Sequence, residues 1–221
     1  MGWSHAGPVD IIYRSVYDTR VDEKVSVKQT IMLKALELFS AKGYEGVSVS
    51  ELTEAAGITK PTLYYYFGSK EGLFEAVCKS HYAQLDAIIA GNAVYNPKPK
   101  SYSEDIHLTL TKLTAAYFSF ARANEAFFRI ALVNSSMPSS SAVFGIVRKY
   151  HFAQFDIIDS MFRNMAKVHG NLNGKSKTLA WSFIGTINSY ISLSFSGISG
   201  QVLNDKTAKE LVHQFMHGIY A

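Results

Sequence analysis

One cysteine, Cys78, is all that the 221 residues contain. A single thiol excludes an intrachain disulfide and suits a reducing compartment. No window approaches the roughly 20 consecutive apolar residues that a membrane span needs. The opening stretch MGWSHAGPVD lacks the basic start and apolar run of a secretion signal. The expected setting is therefore the cytoplasm, with no membrane partner. Charged residues are few, 18%, and no long run of one sign or low-complexity tract occurs. With 48% apolar residues the chain has ample material for a core, which excludes a wholly disordered protein.

Motifs of enzyme chemistry are missing as well. There is no phosphate loop, zinc-protease motif or convincing catalytic triad. Gly197-Ile198-Ser199-Gly200 has the wrong glycine spacing for a nucleophile elbow. His213 and His217 stand four residues apart, a zinc-compatible spacing, but no nearby carboxylate or thiol completes a set. The reading is a non-enzyme with no metal and no cofactor, and Cys78 reads as a small residue of a buried helix.

Alternation with period two is also absent, and helical periods run along most of the chain, so the fold class is all-α. Residues 1–24 show no sustained period and read as an arm. From Val25 the pattern is helical, with Ile31, Ala35, Leu38 and Phe39 on one face. Ser48-Val49-Ser50-Glu51 is a capping box, opening a short helix whose inward residues are Val49, Leu52 and Ala56. Gly57 ends that helix, Thr59 caps the next, and Ser69 caps a longer one from Lys70. Asn96-Pro97-Lys98-Pro99 is a loop. Further helices are predicted over about 104–124, 126–134, 142–169, 176–196 and 206–220. The domains read as the arm 1–24, a three-helix domain 25–72 and a helical bundle 73–221.

Two short capped helices joined at Gly57 and braced by an amphipathic helix form a helix-turn-helix pattern. The stretch Ile31–Phe74, IMLKALELFSAKGYEGVSVSELTEAAGITKPTLYYYFGSKEGLF, closely resembles the N-terminal domain of the TetR family of regulators. The resemblance lies in the helix lengths, the Gly43-Tyr44 and Ala56-Gly57 turns, and the run Leu63-Tyr64-Tyr65-Tyr66-Phe67 leading to Lys70-Glu71. It implies a third helix that enters the major groove of double-stranded DNA. Packing Leu63 and Phe67 inward with Ala35 and Leu52 directs Pro61, Tyr64 and Tyr65 outward, flanked by Lys60 and Thr62. By resemblance, Lys60, Pro61 and Tyr64 approach base edges. Ser48, Ser50, Thr59, Tyr65 and Lys70 match positions that hold phosphates. The helix lacks Arg, Asn and Gln, the side chains best suited to bidentate base recognition, so DNA shape is expected to supplement direct readout.

Bulk charge does not carry this reading. Residues 1–75 hold eight Lys and Arg against ten Asp and Glu, whereas residues 76–221 hold fourteen against eight. The basic excess lies outside the segment that resembles a DNA reader.

The second domain is rich in aromatics at helical spacing. Tyr117, Phe120, Phe128, Tyr150, Phe155, Trp181 and Tyr190 are the candidates for lining a ligand cavity, the tyrosines and Trp181 carrying polar tips. Arg122, Arg129 and Arg148 are candidates to meet an anionic ligand, though solvated helix faces are the favoured reading. The resemblance implies an inducer, lipophilic or aromatic, held in this bundle. It also implies a homodimer formed by the last two helices and a palindromic operator. Small residues at Ser182, Gly185, Thr186 and Ser189, with an apolar stripe at Leu211, Val212, Phe215, Met216 and Ile219, suit such pairing. The competing reading is a ligand-independent dimeric DNA-binding protein whose bundle is only a scaffold.

Overall fold

The computed structural model describes residues 27–97, 102–135, 138, 140–197, 200 and 202–218. No strand occurs among them, and the fold is all-α. The helices are α1 over residues 27–42, α2 (Val49–Ala56), α3 (Lys60–Phe67), α4 (Lys70–Asn92), α5 (Tyr102–Ala123), α6 (Glu125–Ser135), α7 (Phe144–Ala166), α8 (Ser176–Ser196) and α9 (Asp205–His217). A 3-10 turn at Gly170–Leu172 lies between α7 and α8. The arm read over residues 1–24, and Ile219 of the final stripe, lie outside the described residues.

The chain forms two compact units, the first ending at Val77 and the second beginning at Cys78. In the first, α1 turns Ile31, Ala35 and Phe39 inward, and Leu38 is half-buried. The Phe39, Tyr44 and Phe74 rings close on one another with centroids 5.1–5.5 Å apart. Leu52 of α2 and Leu63 of α3 complete this core. Phe67, expected inward, is half-buried instead, with the Lys28 ammonium 5.8 Å from its ring centroid. The first unit runs on to Val77 within α4, past residue 72 where the sequence pattern places the boundary. Leu73, Phe74 and Val77 are buried, so the opening turns of α4 are spent on the first core. Periodicity cannot mark such a division within one unbroken helix.

The second unit packs α7 against α8 and α6, and α5 against α9. Its core is built from Leu110, Leu113, Phe118, Phe127, Val147, Ile158, Met161, Phe162, Phe183, Ile184, Ile187 and Leu211, all buried. A polar tie sits among them. The Tyr95 hydroxyl donates to Asp105 Oδ2 at 2.6 Å, and His169 Nε2 lies 3.3 Å from the same oxygen. It joins the chain after α4, the start of α5 and the chain after α7.

Candidate functional site

The α2–α3 frame is held by local chemistry. The Ser48 Oγ accepts from the Glu51 N–H at 3.2 Å, and the Glu51 carboxylate accepts from the Ser48 N–H at 2.8 Å. Lys42 Nζ donates to the other Glu51 oxygen at 2.6 Å. That ammonium, followed by the capping hydrogen bonds, holds the Glu51 carboxyl at about 2. Gly57 then turns the chain with φ of 64°, a left-handed conformation that glycine adopts without strain. Thr59 caps α3, accepting from the Thr62 N–H at 3.4 Å, and the two threonine hydroxyls pair at 2.9 Å.

With Leu63 wholly buried, the opposite face of α3 is presented to solvent. Lys60 and Pro61 are exposed, Tyr64 is 46% and Tyr65 72% exposed, and Thr62 is half-buried. Ser48, Ser50 and Thr59 are exposed at the helix starts beside them. These candidate residues are all exposed or half-buried, whereas the Lys70 side chain is engaged within the fold. Its ammonium donates to the carbonyls of Tyr44 at 3.0 Å and Val47 at 2.9 Å, and sits 4.1 Å from the Tyr44 ring centroid. The side chain expected to meet phosphate is a brace inside the fold. An anion at this helix start would meet backbone N–H groups rather than the Lys70 side chain.

The second unit encloses a cavity lined by Tyr82, Leu85, Tyr117, Phe127, Phe128, Ala131, Leu132, His151, Gln154 and Asn188. Its free volume is about 10 Å³, roughly what one water requires. The Tyr117 hydroxyl donates to Gln154 Oε1 at 3.2 Å. Gln154 Nε2 and the nearby Asp86 Oδ1 are buried without a hydrogen-bond partner. Burial pushes the Asp86 carboxyl up, the Gln154 amide pulling the other way, and burial pushes His151 down, favouring its neutral form.

Of the seven aromatics proposed from sequence to line a ligand site, Tyr117 and Phe128 line this cavity. Phe120 is buried against Phe128 with centroids 6.0 Å apart, and Tyr150 stacks on Tyr82 at 5.6 Å. Tyr190 stacks on Phe118 at 6.4 Å and lines an open groove between α8 and α9. Trp181, 57% exposed, and Phe155 pack together on the outside of α7 and α8. The arginines turn elsewhere too. Arg122 donates to the Leu203 carbonyl, Arg129 pairs with Glu125 at 2.6 Å, and Arg148 lies 5.3 Å from the Phe152 ring centroid. The polar lining residues Tyr82, His151, Gln154 and Asn188, and the nearby Asp86, escaped the sequence reading. A signal existed for one of them: Gln154 interrupts an otherwise apolar inward series on α7 that runs through Val147, Ile158, Met161 and Met165.

Residues 31–77 match the family described as bacterial regulatory proteins, tetR family. The biofilm operon icaADBC HTH-type negative transcriptional regulator IcaR of Staphylococcus aureus (strain Newman) is 34% identical over 79 residues, 36% of this chain and 40% of the relative. The chain therefore matches well under half of that relative's length. The fatty acid degradation regulator FadR from Bacillus halodurans superposes with a TM-score of 0.73 at 15% identity, covering 87% of this chain and 96% of that one. FadR from Bacillus subtilis, solved in complex with stearoyl-CoA, gives 0.69 at 16% identity, covering 86% and 98%. At such identities the likeness establishes the fold.

Proposed function

This chain carries the N-terminal domain of the TetR family of bacterial regulatory proteins, and we propose that it is a cytoplasmic, homodimeric repressor that leaves a palindromic operator when a small lipophilic ligand enters its second unit. The observation that carries the DNA reading is the outward face of α3, where Lys60, Pro61, Tyr64 and Tyr65 stand on a helix anchored from behind by Leu63. Lys60 reaches guanine O6 and N7, and Pro61 and the tyrosine rings offer apolar surface to thymine methyl groups. Ser48, Ser50, Thr59, Thr62 and Tyr65 position the helix on the backbone. That the relative IcaR is a negative regulator supports repression.

Pairing through α8 and α9 is supported by surface composition. Trp181, Ser182, Gly185, Ser189, Ser192 and Leu193 are exposed along α8, and a groove of about 390 Å³ opens between α8 and α9. A two-fold axis there would set the two copies of α3 about 34–36 Å apart, one turn of the duplex. Ligand control is supported by the unsatisfied polar atoms around the interior cavity. A ligand acts through its differential affinity for two arrangements of the dimer. The small free volume of that cavity is the one observation favouring a ligand-independent scaffold.

The test is selection of bound duplexes from a random pool, followed by affinity measurement. An enriched palindrome is expected, and Lys60→Ala should cost about 1–3 kcal/mol while relaxing one position in each half-site. A uniform loss at every position would make Lys60 a phosphate contact. Failure to enrich any sequence would overturn the DNA reading.

A further inference from the structure

The interior cavity has a charge of one sign beside it. Asp86, one turn after Tyr82 on α4, lies close enough to influence the Tyr82 and Tyr117 hydroxyls and beside the Gln154 amide. Its Oδ1 is buried without a donor. No Lys or Arg lines the cavity, and Arg122, Arg129 and Arg148 are engaged away from it. A small rotation of Gln154 could bring its Nε2 to Asp86 and satisfy both atoms, but a neutral amide supplies no countercharge. Asp86 as a whole is half-buried, and a carboxylate partly withdrawn from water gains from a cationic partner.

Asp86 stands outside the lining, whose walls are aromatic. Tyr82 meets the Phe127 ring edge-on at 4.9 Å, and Tyr117 lies 5.9 Å from Phe128. Gln154, 1% exposed, adds an unsatisfied donor. Rings facing a carboxylate favour a cation, because the ring quadrupole and the acid attract the same charge. A ligand ending in a carboxylate would instead meet Asp86, with no Lys or Arg in the lining and a His151 that burial holds toward its neutral form.

We infer that the cavity takes an apolar, ring-bearing amine, protonated at neutral pH, with its ammonium group on Asp86 and its rings among Tyr82, Tyr117, Phe127 and Phe128. The inference rests on the ligand-controlled reading above for its regulatory consequence. Since the free space holds about one water, binding goes with a widening of the bundle. That widening is a physical basis for the differential affinity a regulatory ligand needs.

The experiment compares 2-(1-naphthyl)ethylamine, 2-(1-naphthyl)ethanol and 1-naphthylacetate on the full chain. Direct binding is measured by calorimetry, and operator affinity is measured separately. The amine is expected to bind at least tenfold more tightly than the carboxylate. Asp86→Asn should remove that preference and weaken the amine at least tenfold, while weakening the alcohol less than threefold. If Asp86→Asn does not fold, the amine-to-carboxylate ratio on the unaltered protein decides alone. Carboxylate binding as tight as the amine's, no binding by any of the three, or a folded Asp86→Asn that keeps the amine within twofold would overturn the assignment. Amine binding through Asp86 without a change in operator affinity would sink ligand control and leave this site standing. Operator release by compounds indifferent to Asp86 would do the reverse.

Discussion

Lys60 and Lys70 belong to one short stretch, yet their surroundings assign them different work. Lys60 is exposed at the first position of α3. Lys70 is tied to carbonyls 26 and 23 residues earlier. Replacing it with methionine removes the charge, keeps much of the stem and leaves those carbonyls without their partner. Hydrogen bonds to a charged group are worth about 1.5–3 kcal/mol, so Lys70→Met should destabilise the protein by an amount of that order in urea denaturation. The salt dependence of operator binding should barely change. A fully stable variant whose salt slope falls by about one would return Lys70 to the phosphates. The cap formed by Ser48 and Glu51 was legible in sequence, because its partners are three residues apart. The Lys70 brace was not, because its acceptors are backbone atoms of a distant turn.

At the level of elements, α3 is aimed by its neighbours. α3 leaves through Gly68, and α4 starts two residues later, so the two helices share a tight corner. Gly72 sits in the first turn of α4, and a Cβ added there would run into the Phe67 carbonyl oxygen at the end of α3. Helix propensity alone would make Gly72→Ala favourable by about 1 kcal/mol. Backbone overlap opposes this, and overpacking costs about 1–3 kcal/mol. The steric term is expected to win, lowering the denaturation midpoint and weakening operator binding as α3 is pushed from its seat. A neutral or stabilised variant would show that the corner relaxes freely. Helix positions were otherwise well marked: the span 176–196 is the observed α8, and α9 ends at His217, against Gly218, where residue 220 was expected. That glycine lies at φ 67°, and its N–H returns to the Gln214 carbonyl, which closes the helix.

At the scale of the whole molecule, the proposed pairing of two copies is open to test at one position. Gly185 is exposed in mid-helix, and a Cβ added there would touch nothing in its own chain. If that gap exists for a partner helix, Gly185→Trp should leave the helical content intact and shift the protein to monomer in sedimentation at micromolar concentration. Operator affinity should fall with it, since one α3 reads only half a palindrome. A variant that remains a stable dimer would move the pairing face elsewhere. The sequence by itself determined the all-α class, the capped α2 and α3 and the outward side of α3, because caps, turns and helical faces depend on residues a few positions apart. Only the tertiary structure decided that Lys70 braces the fold, that α4 is divided between two cores, that Trp181 faces out, and that Asp86 and Gln154 meet beside a ring-lined cavity. Those facts depend on which distant helices come into contact, and a periodic pattern shows only that a face is buried, not what it is buried against.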